Sequence, residues 1–265
     1  MSIKLIASDL DGTLLNKEGQ VSERTKTVIK RVQEEGVTFC IATGRMFRSA
    51  CQFAKELAIK CPVIAYNGVL IKDPVTDKVM HSTPLDIKVA REVLLYCKKK
   101  NWYVQKYEGD FLYVESITGY TERYSSKVNV SVEAQGSAFC QLRQPPYKLM
   151  IILEPQEQAA VLQELNEIFG KDIFVTTSNT KFVEIINPCA NKGNALSYLC
   201  DILDIRKEEV MALGDSFNDI EMLEYAGLAV AMENAVPELK LVSDFVSLDN
   251  QKDGVAIAIE KYVLC

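Results

Sequence analysis

Two carboxylates stand two residues apart in the segment Asp9-Leu10-Asp11, directly after an apolar run near the start of the chain. Alternate side chains of an extended segment point to the same side, so both carboxylates can meet one ligand. Their mutual repulsion would raise the pKa of at least one of them, and a divalent cation such as Mg²⁺ relieves it. One carboxylate could then act as a nucleophile while the other transfers protons. The alternative is that both residues cap the strand and form an Asx turn.

Further acidic and amide side chains occur near the other end of the chain, in the segment GDSFND at 214–219. This segment follows another apolar run, and Asp215 is placed there to be a metal ligand. Asn218 and Asp219 fall in the first turn of the next predicted helix, where Asn218 could donate to a phosphate oxygen. Helix capping alone is the alternative for these two residues, because Asp and Asn favour such positions.

Two more segments combine polar side chains with a predicted helix start. Thr43 and Gly44 follow an apolar run and precede a helix, so a hydroxyl and backbone N–H groups can bind an anion there. Arg45 could contact the substrate or form an ion pair with a nearby acid. Lys192 begins a predicted helix, where the helix dipole disfavours a cation, and a bound phosphate would supply the missing negative partner. An exposed surface lysine is the alternative for Lys192.

Apolar, β-prone runs precede all but one of these segments, and helical patterns lie between the runs. The runs are Ile3–Ala7, Val37–Ala42, Val63–Tyr66, Val210–Leu213 and Leu228–Ala231. Short runs without polar alternation are typical of parallel strands that are covered on both faces. Strands that alternate with helices predict an α/β fold with a doubly wound parallel sheet, whose ligands bind at the carboxyl ends of the strands. The polar residues that end these runs all fall at that edge.

The middle of the chain has a different pattern. A helix is predicted over Asp86–Lys100, and short strands separated by turns follow it, among them an alternating run at Val128–Val132. Neighbouring strands with short turns predict an antiparallel sheet with helices on one face, an α+β module. We therefore expect two domains: a discontinuous core of residues 1–84 and 188–265, and an inserted cap of residues 85–187.

Composition restricts the class of protein. The chain has 265 residues, of which 48% are hydrophobic and 25% charged, as is usual for globular domains. Thirty basic against 36 acidic residues give a net charge of -6, so the basic footprint of a nucleic-acid-binding protein is absent. No apolar run reaches the ~18 residues that cross a bilayer, and no signal-peptide pattern occurs, so we expect no membrane partner. The eight cysteines form no CxxC pair, which favours reduced thiols and a cytoplasmic protein.

Together these segments resemble the haloacid dehalogenase (HAD) superfamily of phosphohydrolases, in particular its Cof-type branch. The similarity covers the whole chain: DLDGTL at 9–14, TGR at 43–45, Lys192 at a helix start, GDSFND at 214–219 and an insert at 85–187. The resemblance implies a Rossmann-like core with an inserted α+β cap of the C2 type.

The resemblance also implies a role for each candidate residue. Asp9 would be the nucleophile that forms a phospho-aspartate, and Asp11 would be the general acid and base. Mg²⁺ would be held by Asp9, by Asp11 through its backbone carbonyl, and by Asp215. Asp219 and Arg45 could support these ligands. The phosphate would be held by Leu10 through its backbone, Thr43, Gly44, Lys192 and Asn218.

We therefore predict a Mg²⁺-dependent phosphatase, a phosphoric monoester hydrolase that acts on small phosphorylated metabolites such as sugar phosphates. A cap that closes over the site would exclude bulk water and bar large phosphoproteins. Two alternatives stay open: a phosphotransferase or phosphomutase of the phosphomannomutase type, and a phospholigand sensor without catalysis. The intact set of carboxylates argues against the sensor, because binding a phosphate dianion requires cations and dipoles rather than a nucleophilic carboxylate.

Overall fold

The computed structural model of the protein describes residues 2–128, 130–177 and 180–264. The described chain forms two compact units: one comprises the residues up to His81 together with those from Asn191 onward, and the other is Ser82–Ala190. The first unit is therefore built from both ends of the chain. That the second unit serves as a cap stays a prediction.

Short strands and helices make up both units. The strands are β1 (Leu5–Ser8), β2 (Thr38–Ile41), β3 (Val63–Ala65), β4 (Leu70–Lys72), β5 (Val79–Ser82), β6 (Tyr103–Glu108), β7 (Phe111–Val114), β8 (Val132–Ala134), β9 (Lys148–Ile152), β10 (Phe174–Thr176), β11 (Phe182–Ile186), β12 (Val210–Gly214), β13 (Leu228–Ala231) and β14 (Phe245–Val246). The helices are α1 (Glu23–Glu34), α2 (Phe47–Glu56), α3 (Ile87–Lys99), α4 (Gly119–Val128), α5 (Gln158–Phe169), α6 (Lys192–Leu203), α7 (Ile220–Tyr225), α8 (Pro237–Leu241) and α9 (Gly254–Tyr262). None of the described helices is long and apolar enough to span a bilayer.

A parallel sheet forms the centre of the first unit, with the strand order β14-β13-β12-β1-β2. Every residue of β1 and β12 is buried, which explains why their sequences carry no polar alternation. Helix α1 packs against α9 and β2, while α6 packs against α7, which in turn contacts β12 and β13. The predicted α/β fold with a parallel central sheet is confirmed.

One predicted strand belongs to a different sheet. The run at Val63–Tyr66 was expected among the parallel strands, but β3 pairs antiparallel with β4 in a small sheet of order β3-β4-β5. Asn67 and Gly68 both take positive φ and turn the chain back directly after β3, which forms this hairpin. On its other side the run lies parallel to β2 as expected: Ala42 pairs with Ile64 in a parallel bridge, and the N–H of Thr43 donates to the Ile64 carbonyl at 2.9 Å. The fifth strand of the parallel sheet is instead β14, which is only two residues long and leaves a weak sequence pattern.

The second unit contains a six-stranded sheet of order β10-β11-β9-β6-β7-β8, antiparallel except for the β7–β8 pair. Helices α3 and α5 contribute to a hydrophobic core with one face of this sheet; its members include Val93, Leu165, Ile151 and Val183. An α+β unit with an antiparallel sheet and helices on one face agrees with the pattern in this part of the sequence.

The alternating run at Val128–Val132 is not a strand throughout. Helix α4 continues to Val128, and β8 begins only at Val132; Asn129 lies outside the described residues. The helix starts where the Thr118 hydroxyl accepts from the backbone N–H of Thr121. This contact caps the N-terminus of α4, and the helix continues to Val128, the first residue of the alternating run. The apolar pattern at 128–132 was therefore misleading.

Candidate active site

The carboxyl ends of three neighbouring strands bring the polar segments together. Ser8 at the end of β1 pairs with Leu213 in β12, and the backbone N–H of Asp9 donates to the Leu213 carbonyl at 3.0 Å. On the other side of β1, the N–H of Ala42 donates to the Ser8 carbonyl at 2.9 Å. Because the strands run parallel and in register, the DLDGTL, TGR and GDSFND segments all leave the sheet at one edge.

A cluster of three carboxylates lies at this edge: Asp9 and Asp219 are buried, and Asp215 is half-buried. One oxygen each of Asp9, Asp215 and Asp219 lies within 4.8 Å of the others. Burial, together with repulsion from Asp219 and Asp11, raises the pKa of Asp9 to about 7, although Lys192 opposes this rise. Burial and repulsion from Asp9 and Asp219 raise the pKa of Asp215 to about 8. The negative charges of this cluster are therefore poorly compensated by the protein itself.

Lys192 is the main cation at the cluster. Its side chain is fully buried, and Nζ lies 2.6 Å from Oδ1 of Asp9 and 2.6 Å from Oδ1 of Asp219. Burial would lower the pKa of Lys192, but Asp219 and Asp9 outweigh it and hold that pKa above its ordinary value. The alternative of an exposed surface lysine is therefore wrong. The Asn191 side chain caps α6 by accepting from the N–H of Asn194 at 2.7 Å.

Asp219 is bonded through both carboxylate oxygens. Oδ1 accepts from Lys192, and Oδ2 accepts from the backbone N–H groups of Asp215 and Ser216, each at 3.0 Å. A Cβ atom at Gly214 would lie 2.5 Å from the Asp219 Cβ, so a residue without a side chain lets this carboxylate approach the strand end. Asp219 therefore makes the predicted capping contacts and also forms a hydrogen-bonded ion pair with Lys192.

The Asp11 carboxylate is not one of these three and binds Arg45. Nε and Nη2 of Arg45 donate to the two oxygens of Asp11 at 2.6 and 2.7 Å. The Arg45 guanidinium also lies 5.3 Å from the centre of the Phe53 ring. Of the two possibilities left open for Arg45, the ion pair with a nearby acid is the one present.

The residues expected to hold phosphate line the same edge. Leu10 is buried, and its backbone N–H has no hydrogen-bond partner among the described residues. The hydroxyl of the buried Thr43 accepts from the N–H of Arg45 at 3.1 Å and keeps its own proton to donate. Asn218 donates from Nδ2 to Oδ1 of Asn67 at 2.8 Å.

Several contacts at the site involve residues to which the sequence analysis assigned no role. Thr13 donates from Oγ1 to Oδ1 of Asp215 at 2.8 Å, and Asn234 donates from Nδ2 to the Gly12 carbonyl at 2.8 Å. Asn67 accepts from Asn218. Thr13 lies inside the DLDGTL segment, and Asn67 and Asn234 both follow apolar runs that were predicted as strands, so all three positions carried a local signal.

The residues present fit a divalent cation. Asp9 and Asp215 each offer a carboxylate oxygen, and these lie within 4.8 Å of each other and of one oxygen of Asp219. Oxygen is the donor that Mg²⁺ prefers. Burial and mutual repulsion raise the pKa values of Asp9 and Asp215, and a divalent cation between them would offset both effects. Gly12 leaves room for the Asp215 carboxylate, because its φ is 85° and a Cβ atom there would overlap Oδ2 of Asp215.

Comparison with known proteins identifies the family of this chain. A model of the haloacid dehalogenase-like hydrolase family matches residues 6–259. Phosphatase YwpJ of Bacillus subtilis is 31% identical over 280 residues, covering 96% of this chain and 98% of that protein. The 5-amino-6-(5-phospho-D-ribitylamino)uracil phosphatase YwtE of the same organism is 33% identical over 287 residues, covering 98% of each. A solved haloacid dehalogenase-like hydrolase from Bacteroides thetaiotaomicron is 29% identical, with a TM-score of 0.89 and coverage of 98% of this chain and 99% of that one.

The similarity extends over nearly the whole chain, so it includes both units and every segment of the candidate site. The predictions of a HAD-type hydrolase and of phosphatase activity are confirmed by these relatives. The chain belongs to the haloacid dehalogenase-like hydrolase family.

Proposed function

We propose that this hydrolase is a Mg²⁺-dependent phosphatase that acts on small phosphorylated metabolites, such as sugar phosphates, through a phospho-aspartate on Asp9. The observation that carries the proposal is the buried Asp9 carboxylate, held 2.6 Å from the Lys192 ammonium where neighbouring strands end. A nucleophile beside a buried cation suits a dianionic substrate. Uncatalysed hydrolysis of phosphate monoesters is extremely slow, and neutralising the charge of the transition state is the main way to accelerate it.

The carboxylates of Asp9 and Asp215 and the backbone carbonyl of Asp11 would hold the Mg²⁺ ion. When bound, the ion neutralises charge on the phosphoryl oxygens and on the carboxylates around it. Asp219 supports this set rather than joining it, because Lys192 and two backbone N–H groups already use its oxygens. Two carboxylates and a carbonyl leave positions for water and phosphate oxygens, as Mg²⁺ prefers.

In the first step, an oxygen of ionised Asp9 attacks phosphorus while the bond from phosphorus to the ester oxygen breaks. Protonated Asp11 gives its proton to the departing alkoxide oxygen. Lys192, the Thr43 hydroxyl and the N–H of Leu10 donate to the phosphoryl oxygens and orient the group for in-line displacement.

In the second step, Asp11 has lost its proton and acts as a base. It takes a proton from water, the water oxygen attacks phosphorus, and the bond from phosphorus to Asp9 breaks to release inorganic phosphate. Arg45, which is joined to Asp11 by two hydrogen bonds, fixes the position of the carboxylate that accepts the proton of water.

A phosphate-release screen over sugar phosphates, nucleotides and cofactor phosphates tests the proposal, with the Asp9→Asn variant as its matched control. We expect Asp9→Asn to keep the fold, measured by circular dichroism and thermal unfolding, and to lower turnover by at least ~10³-fold. Substantial residual activity would show that Asp9 is not the nucleophile. Full activity after exhaustive chelation would exclude the metal, and binding without turnover across the screen would support the sensor.

Turnover in ¹⁸O-labelled water separates hydrolysis from phosphoryl transfer. If water attacks the phospho-aspartate, the released phosphate carries one labelled oxygen. Little or no released phosphate, together with a phosphorylated product from an added sugar, would favour the phosphotransferase or phosphomutase instead.

A further inference from the structure

A short turn, Tyr66–Gly68, between β3 and β4 packs against the TGR segment. The backbone N–H of Tyr66 donates to the carbonyl of Arg45, and that of Asn67 donates to the carbonyl of Thr43, each at 3.0 Å. The turn therefore holds both ends of the TGR segment through the backbone, whatever side chains those residues carry.

The same turn also lies against the start of α6. At φ 96°, a Cβ on Gly68 would overlap the carbonyl oxygen of Asn191, the residue that caps this helix. Lys192 is the first residue of α6, so the turn sits directly beside the backbone that carries the buried ammonium. Only glycine permits this close approach.

The side chain of Asn67 connects the turn to the GDSFND segment. Asn67 is 2% exposed, and its Oδ1 accepts from Nδ2 of Asn218 at 2.8 Å. A Cβ atom at Gly44 would lie 2.8 Å from the same oxygen, so Gly44 makes room for the Asn67 amide. One side chain thus touches two of the segments expected to bind phosphate.

The backbone of this turn is strained. Tyr66 has φ 53° and Asn67 has φ 57°, so two consecutive residues with side chains occupy the left-handed region. This conformation is unfavourable for an ordinary residue, and asparagine tolerates it better than most. Strained backbone persists where the surroundings over-determine it, and it clusters at functional sites.

We propose that Asn67 is a positioning residue that sets the orientation of the Asn218 amide for phosphate binding. An amide nitrogen has two protons to donate, whereas the amide oxygen can only accept. Asn67 Oδ1 takes one proton from Asn218 Nδ2, which keeps the second available for a phosphoryl oxygen. If the Asn218 amide rotated by half a turn, its oxygen would face the phosphate and repel it. The inference rests on the proposed function, because it concerns the same phosphate site.

The Asn67→Gly variant tests this role without disturbing the backbone. Glycine adopts φ 57° freely, so the variant removes the acceptor while it relieves strain, and thermal unfolding should show a retained fold. Asn101→Gly is the matched control, since Asn101 also has a positive φ, 56°, but lies in the second unit after α3. The probe is inorganic phosphate, measured as a competitive inhibitor of p-nitrophenyl phosphate hydrolysis with Mg²⁺ present.

We expect Asn67→Gly to weaken inhibition by phosphate about tenfold, as for the loss of one oriented hydrogen bond to a charged group. KM should rise by a similar factor, and Asn101→Gly should leave both constants within about twofold of wild type. In an Asn218→Ala background, Asn67→Gly should have little further effect, because Asn67 acts through Asn218.

Two results would overturn the inference. One is an unchanged inhibition constant in Asn67→Gly; the other is an equal loss in the wild-type and Asn218→Ala backgrounds, which would indicate a role independent of Asn218. Failure of the proposed function gives a different result, because the wild-type protein itself would then release no phosphate from any ester.

Discussion

Lys192 donates a hydrogen bond to Oδ1 of Asp219 across 2.6 Å, and both side chains are fully excluded from solvent. Asp219 is in turn held by the N–H groups of the loop that carries Asp215. The buried ion pair therefore links the start of α6 to the end of β12. It directs the ammonium towards Asp9, the proposed nucleophile, whose negative charge it compensates.

Replacing Lys192 by methionine is expected to reduce both stability and activity. The change leaves Asp9 and Asp219 buried without their cation, and breaking a buried pair in this way costs about 3–5 kcal/mol. Urea unfolding and phosphate release measure the two effects. The Lys192→Met/Asp219→Asn double variant should recover part of the stability and none of the activity. Lys30→Met, which removes an exposed helix pair with Glu34, should cost no more than about 0.5 kcal/mol.

Replacing Asp11 by asparagine is expected to separate the two chemical steps. With p-nitrophenyl phosphate, whose leaving group needs little protonation, the first step continues, whereas the second step lacks its base. Rapid mixing should therefore show a burst of about one equivalent of p-nitrophenol, followed by slow turnover. Mass spectrometry of the quenched enzyme should detect a phosphorylated Asp9 peptide. A slow reaction without a burst would contradict the role of Asp11 in the second step.

Replacing Gly12 by alanine is expected to damage the metal site. The new Cβ would overlap Oδ2 of Asp215, and φ 85° is unfavourable for alanine. Activity titrated with Mg²⁺ should need at least ~10-fold more metal, as for ~1.4 kcal/mol of lost binding. Gly19→Ala is the control: Gly19 has φ 73° but nothing within 4 Å of its Cβ position, so this variant should lose some stability and keep its response to Mg²⁺. Equal metal responses in the two variants would refute the prediction.

Replacing Glu209 by glutamine is expected to destabilise the protein at neutral pH more than in acid. Hydrogen bonds from Arg206 and Lys4 lower the pKa of Glu209 from 4.5 to about 2. Since the folded-state pKa is below the unfolded value, the ionised carboxylate stabilises the fold above about pH 4.5. That contribution is lost as the pH falls towards 2.

The melting temperatures of wild type and Glu209→Gln, measured at intervals from pH 7 to pH 3, should therefore converge as the pH falls. A constant difference over this range would show that the stabilisation by Glu209 does not depend on its charge.

Local sequence was sufficient to locate the strands that carry the candidate site, β1, β2 and β12, and to order the chemical segments along them. The run before Asp9 and the run before Asp215 are apolar throughout because both strands are buried on two faces. Parallel strands end at one edge, so the type of sheet already brought Asp9, Thr43 and Asp215 to the same place. The cap of α1 by Ser22 was similarly readable from local sequence, because it depends only on residues within one helical turn.

Only the tertiary structure decided which charges pair. Lys192 lies 183 positions from Asp9, and no local pattern distinguishes its buried ion pairs from an exposed lysine. The packing of separate loops decides that Arg45 pairs with Asp11. It also brings Asn67 into contact with Asn218, 151 positions away in the sequence. The spacing of apolar residues along a helix or strand predicts which of its residues are buried, because the buried face repeats with the period of that one element. The hydrogen-bond partner of a buried polar group lies on a second element. Tertiary packing, and not the neighbouring residues in the sequence, places that element beside the group.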